Sequence, residues 1–145
     1  MESTKSLKAA SADRIVTIIP SIVRGIWNRC QSELPIKLTW GQFSLLALLS
    51  QQSHTLTELA REWGVSKPSM SKMVSWQVER EWVVRIIEPS DSRRKPLHLT
   101  PAGRKVHEQA HKVLVQNLAH ALEQLTDEQS AQIKSAIDVL FQILV

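Results

Sequence analysis

Apolar residues recur along most of the chain at three- and four-residue intervals, the spacing of helices that bury one face. Over 13–30, Ile15, Ile18, Ile19, Ile22, Val23, Ile26, Trp27 and Cys30 make one such stripe. Pro20 lies inside it and removes a ladder donor, so a kink or a division of that helix is expected. Thr39 and Gln42 have the spacing of a capping box and open a strongly apolar helix to about Gln51. Thr55 and Glu58 repeat the box before a short helix that buries Leu56, Leu59, Ala60 and Trp63, and Gly64 suits a left-handed C-cap. Ser66 then caps a helix with Pro68 in its first turn, where a missing N–H is harmless. Met70, Met73, Val74 and Val78 line one side of it, and Lys67, Ser69, Ser71, Lys72 and Ser75 the other.

The period then changes. The β-branched run over 82–89 predicts a strand, and 95–100 can return as its partner, with Pro96 confining it to an edge. From Thr100 the helical period resumes in a long helix to about Leu125. Thr126 and Gln129 box a last helix through Ile133, Ile137, Leu140, Phe141 and Leu144. The opening MESTKSLKAASA reads as a flexible arm. The fold class is therefore mostly α with a small β-hairpin: two helices joined by a tight turn, then a wing, a winged helix-turn-helix lobe with a separate helical region.

Bulk properties add three points. The 145 residues suit one domain, with 43% hydrophobic and 22% charged residues and a formal charge of +4. Residues 55–100 carry eight Lys/Arg against six Asp/Glu and 101–145 only four against five, so the positive excess lies outside the C-terminal third. Within the middle third it clusters at Arg93, Arg94 and Lys95, the tip of the hairpin. Cys30 is the only cysteine, which excludes an intrachain disulfide and points to a reducing compartment. No apolar run has membrane-spanning length and no secretion signal is evident, so the cytoplasm is the expected location, without a membrane partner.

This arrangement suits DNA. A helix fits the major groove, where base edges present distinct donor and acceptor patterns, and hydroxyls and ammonium groups hold phosphates. A hairpin tip carrying arginine can enter the neighbouring minor groove, where A·T-rich tracts concentrate negative potential. An enzyme is not expected, because the spacing shows no nucleophile with a base, no paired carboxylates and no Gly-rich phosphate loop. No cofactor is implied. The rival from another class is a winged-helix protein-interaction module without DNA binding.

The segments LTWGQFSLLALL, TLTELAREWGVSKPSMSKMV, RIIEPSDSRRKPLHLTPAGRKV and the closing LTDEQ resemble, in order and spacing, the MarR family of bacterial transcription regulators. The wing-to-helix stretch carries most of the resemblance, with Asp91, Arg93, Leu99, Thr100 and Gly103. The resemblance implies a homodimer on pseudo-palindromic operators, released by a small-molecule effector, with 13–37 and 101–145 as the dimerisation region. It implies a DNA-binding lobe over 38–100, beyond the flexible arm of 1–12. By the resemblance, Arg93 is the minor-groove arginine and Asp91 orients the wing. Ser66, Lys67, Ser69 and Lys72 fall where the family reads its operator, and Ser71, Ser75 and Arg94 extend that surface. Two departures stand out. Gln77 occupies an apolar position, so packing is expected to move to Val78 with Trp76 or Trp82 filling the gap. Glu81-Trp82 replaces Gly-Leu at the hinge of the wing.

Sensing residues are less distinct. Trp27 and Trp40 are candidates for lining an effector site, although aromatics at helical spacing are more often core. His107 and His111, at i and i+4, share a helix face and are weak candidates for zinc. A zinc-sensing branch of the family adds ligands from its first two helices; here Gln42 stands in place of a histidine, leaving Cys30 or Glu33 as substitutes. A redox role for Cys30 is disfavoured, since it lies at the end of the first helix and the chain has no tyrosine. A metal- or redox-responsive regulator of the same fold remains the alternative to an organic effector.

Overall fold

The computed structural model describes residues 2–145. Its order is α1 (Glu2–Cys30), α2 (Trp40–Gln51), α3 (Leu56–Glu62), α4 (Lys67–Glu79), β1 (Val83–Arg85), β2 (Leu97–Leu99), α5 (Pro101–Leu122) and α6 (Asp127–Leu144). The capping residues behave as local chemistry requires. Thr39, Thr55 and Thr126 each accept the backbone N–H three residues on, and Gln42, Glu58 and Gln129 each accept the cap residue's own N–H. Ser66 accepts Ser69 N–H, and Pro68 sits in the first turn of α4.

The arm expected over 1–12 is helical from Glu2, Met1 lying outside the described residues. Its Ala, Lys and Leu content favours helix, and no proline or glycine interrupts it before Pro20. Pro20 does not divide α1. It is exposed, so the ladder bond it removes leaves a carbonyl that water can satisfy.

The core gathers Leu45, Leu46 and Leu49 of α2, Leu59 and Ala60 of α3, and Met70 and Val74 of α4. Val83, Leu97 and the buried face of α5 (Val106, Ala110, Leu114) complete it, and Trp27 and Cys30 close it from α1. Gln77 is the surprise. It is fully buried while Val78 is exposed, so packing has not moved to 78 as expected. The reason is phase: 70, 74 and 77 lie on one helical line, and 78 lies a residue past it. Trp82 is buried beside the half-buried Trp76, in edge contact at 5.5 Å.

Both turns of the lobe are Schellman motifs. After α3, Val65 N–H donates to Ala60 O and Gly64 N–H to Arg61 O, with Gly64 at φ +62°. After α4, Trp82 N–H donates to Gln77 O and Glu81 N–H to Val78 O. Glu81 holds φ +58°, the left-handed conformation usually left to glycine, so the hinge keeps its geometry under strain.

The wing is shorter than expected. β1 pairs antiparallel with β2 as Val83↔Leu99, Val84↔His98 and Arg85↔Leu97. Beyond Arg85 the pairing thins to Ile86 N–H donating to Pro96 O and Glu88 N–H donating to Arg94 O, because Pro96 has no N–H to return. Pro96 is buried, not on an open edge, and the far side of β2 is covered by a bridge in which Leu97 N–H donates to His54 O at 2.8 Å. Thr100 joins the wing to α5. Its hydroxyl donates to Glu81 O at 2.6 Å and accepts Gly103 N–H at 3.0 Å. A Cβ at Gly103 would collide with the Trp82 carbonyl oxygen, which explains the Leu-Thr-x-x-Gly spacing physically.

Candidate nucleic-acid interface

The exposed face of α4 is set by its buried one. With Met70, Val74 and Gln77 turned inward, Lys67, Ser69, Lys72 and Ser75 are left exposed and Ser71 half-buried. Ser66 is exposed but occupied: its hydroxyl accepts Ser69 N–H at 3.3 Å and donates to Ser69 Oγ at 2.9 Å. It is a cap first.

At the wing tip, Asp91, Arg93 and Arg94 are all exposed. Asp91 Oδ1 accepts Arg93 N–H at 3.0 Å, and Arg94 N–H donates to Asp91 O, which closes the tip as a turn. The two arginines differ. Arg94 reaches Glu58 Oε1 on α3 at 3.5 Å and Glu88 Oε1 at 3.7 Å, tying the wing to the start of α3. Glu58 is itself held by Thr55 N–H at 2.7 Å. That bond, aided by Arg94, keeps its carboxyl below the usual glutamate range. The Arg93 side chain has no partner among the described residues.

Between wing and α3 lies an open groove of about 430 Å³ that brings Arg85, Arg93, Arg94 and Lys95 against Thr55 and Glu58. Arg85 was not visible as a site residue in the sequence, where it reads as part of a β-branched run. Strict alternation would turn Arg85 inward with Val83, yet both Val84 and Arg85 are exposed, so no local pattern reveals it.

The sensing candidates fall elsewhere. Trp27 is 5% exposed and Trp40 42%, in edge contact at 5.5 Å, with Phe43 close to both. They border an apolar groove of about 370 Å³ with Ile19, Pro20 and Val23. His107 stacks on Phe43 at 5.6 Å and has His111 beside it at 5.8 Å. Burial, then the neighbouring His111, pushes the His107 imidazole below its ordinary range. Among the described residues no three His, Cys, Asp or Glu side chains gather closely enough to hold a metal. Cys30 is fully buried, and burial and Glu33 push its thiol up, away from thiolate chemistry. It sits on a small apolar cavity of about 210 Å³ between α1 and α5. No helix among the described residues is long and apolar enough to cross a membrane.

A helix pair with a Schellman turn, an N-capped second helix bearing exposed Ser and Lys, and a basic hairpin stitched to the next helix define a winged helix-turn-helix. Comparison with known proteins agrees. The model of the MarR family matches residues 38–95. YpoP of Bacillus subtilis (strain 168), an uncharacterized HTH-type transcriptional regulator, is 32% identical over 91 residues. That segment is 62% of this chain and 64% of YpoP, so the chain spans less than two thirds of that relative. Wild-type apo MarR from E. coli is 25% identical with a TM-score of 0.73, covering 92% of this chain and 96% of that one. A S. aureus MepR mutant solved with an oligodeoxyribonucleotide shares the fold at 20% identity and a TM-score of 0.61, covering 88% and 96%. The chain is thus similar to MarR-family regulators over its winged-helix lobe and shares their fold along most of its length.

Proposed function

We propose that this chain is a transcription regulator that binds pseudo-palindromic DNA as a homodimer and is released by a small apolar effector. The observation that carries the reading is the division of labour at the wing: Arg94 is anchored to Glu58 and Glu88 while Arg93 is left unpaired at the tip. A solvated loop has no need of that asymmetry, whereas a minor-groove probe needs one fixed stem and one free guanidinium. The Ser and Lys face of α4 supplies the major-groove partner. That a S. aureus MepR mutant of the same fold was solved bound to an oligodeoxyribonucleotide supports DNA as the ligand.

Assembly follows from apolar surface. Helix α6 buries none of its residues within one protomer, and Ile137, Phe141 and Leu144 are 59%, 63% and 69% exposed. Ile19 and Ile22 of α1 are exposed as well. A patch of this kind calls for a partner, and a second copy with two-fold symmetry is the simplest one. Residues 13–37 and 101–145 then form the dimerisation region, and 38–100 the DNA-binding lobe. The effector reading rests on the apolar groove beside Trp27 and Trp40, whose lining suits an aromatic organic molecule better than a metal.

The test is an electrophoretic shift of genomic fragments in a salt series. A DNA-binding regulator shifts discrete fragments and loses affinity steeply as salt rises. An interaction module on the same fold shifts none.

A further inference from the structure

We infer that this protein selects its DNA sites mainly through minor-groove width at the wings, while its recognition helix grips the major groove and discriminates bases weakly. The inference rests on the DNA-binding reading above and deepens it.

The strongest base discrimination in the major groove comes from forked contacts, Asn or Gln on adenine and Arg on guanine. Helix α4 offers none. Its one amide, Gln77, is fully buried and donates to Gln42 O at 3.0 Å. The arginine that follows, Arg80, lies 3.5 Å over the Trp76 ring and donates to Trp76 O, which folds it back on its own helix. What remains exposed is hydroxyl and ammonium. A serine hydroxyl donates or accepts, so it pairs with any base and rejects few. Ser66 and Ser69 are partly spent on each other. The outward line of α4, opposite Met70 and Val74, runs through Pro68, Lys72, Ser75 and Glu79. Glu79 therefore turns a negative charge towards the side that faces DNA, and only the first two turns of α4 can lie close to phosphates. Lys72 and Lys67 keep a coarse preference for guanine.

The wing is built the other way. Its tip is closed by the Asp91 turn, and its stem is held by Arg94 to Glu58. Arg93 is thereby presented as a single, unpaired guanidinium on a fixed support. Such a group reports groove width and negative potential, both set by A·T-rich sequence, and leaves major-groove edges unread.

Base analogues separate the two grooves. Full-length protein selects duplexes from a random pool, and binding to the selected site is measured by fluorescence anisotropy at about 150 mM salt. Every A·T pair is then replaced by inosine·cytosine, which keeps an A·T-like minor groove under a G·C-like major groove. In a second duplex every A·T becomes diaminopurine·thymine, which adds the minor-groove amino group and leaves the major-groove edge of adenine and thymine in place. The expected result is a change within about threefold for the inosine duplex and a loss of about tenfold or more for the diaminopurine duplex. Arg93→Ala should erase the difference between them, with thermal unfolding unchanged. The reverse order, a silent diaminopurine duplex and a damaging inosine one, overturns the inference and leaves DNA binding standing. A pool that yields no bound sequence overturns the DNA reading, and this inference with it.

Discussion

Gln77 is fully buried, its Nε2 donates to Gln42 O at 3.0 Å, and its Oε1 has no partner among the described residues. Replacing it with leucine removes one neutral hydrogen bond, a loss of about 1 kcal/mol. The Gln42 carbonyl is not orphaned, because it lies inside α2 and keeps its helical acceptor role. The substitution also removes a buried carbonyl that nothing satisfies, a relief of about 1–3 kcal/mol. The two side chains have similar volume, so the cavity contribution is small. The net expectation is a gain of about 1 kcal/mol, which for a chain of this size raises Tm by about 2–4 °C. The assay is calorimetry at fixed protomer concentration, since the Tm of a dimer would depend on concentration. Gln77→Met, unbranched like glutamine, should move Tm in the same direction if leucine's shape fits poorly. A fall of 2 °C or more, about half a kcal/mol or greater, in both variants would refute the reasoning and show that the amide contact outweighs its unsatisfied oxygen.

Other perturbations test neighbouring parts of the account. Arg93→Ala should weaken operator binding by about 1–3 kcal/mol per protomer and flatten the log K against log salt slope by about two, one for each wing of the dimer. Arg94→Ala should leave that slope unchanged and instead weaken binding to the same extent as Glu58→Gln, which a double-mutant cycle in the same titration reads directly. Glu81→Gly relieves a left-handed backbone, about 1–2 kcal/mol, against the extra freedom glycine gains on unfolding. Urea titration should therefore show a net stabilisation of about 0.5–1 kcal/mol, and a lower midpoint would count against strain at the hinge. The folded protein disfavours the protonated form of His107, whose ordinary pKa is 6.5. The unfolded chain then binds the proton more readily, so stability is full above about 6.5 and declines as pH falls below it. His107→Phe, which keeps the stack on Phe43, should reduce that acid-side decline in melts between pH 7.5 and 5.5.

How much of this was legible in the sequence depends on the range of each interaction. The three threonine boxes, the Gly64 turn and Pro68 act within a few residues, and each could be read directly. The family pattern placed the wing between α4 and α5. What escaped were pairings across the fold. Gln77 meets Gln42 35 positions away, and Arg94 meets Glu58 36 positions away, so neither polar group could be assigned its partner from local pattern. The shift of packing to Val78 failed for that reason: a buried glutamine is acceptable once a distant carbonyl accepts its amide. The strand over 82–89 shrank because Pro96 interrupts the partner, a tertiary effect that β-branched composition does not reveal. Residues 2–12, expected as an arm, are helical, as their helix-favouring composition outweighs their polarity. Among site residues, Arg85 and Lys95 joined the groove only once the hairpin register was known.

In the proposed dimer two copies present their recognition helices one DNA turn apart, about 34 Å, so that neither lobe binds alone. The most direct measurement inserts about 5 base pairs, half a turn, between the half-sites of a selected operator and compares it with an insertion of about 10. The account predicts that the half-turn insertion reduces affinity to the non-specific level, because the two lobes then face opposite sides of the duplex. The full-turn insertion should retain more of the affinity. Equal, undiminished binding to all three duplexes would contradict it, since only independently binding lobes could ignore the spacing.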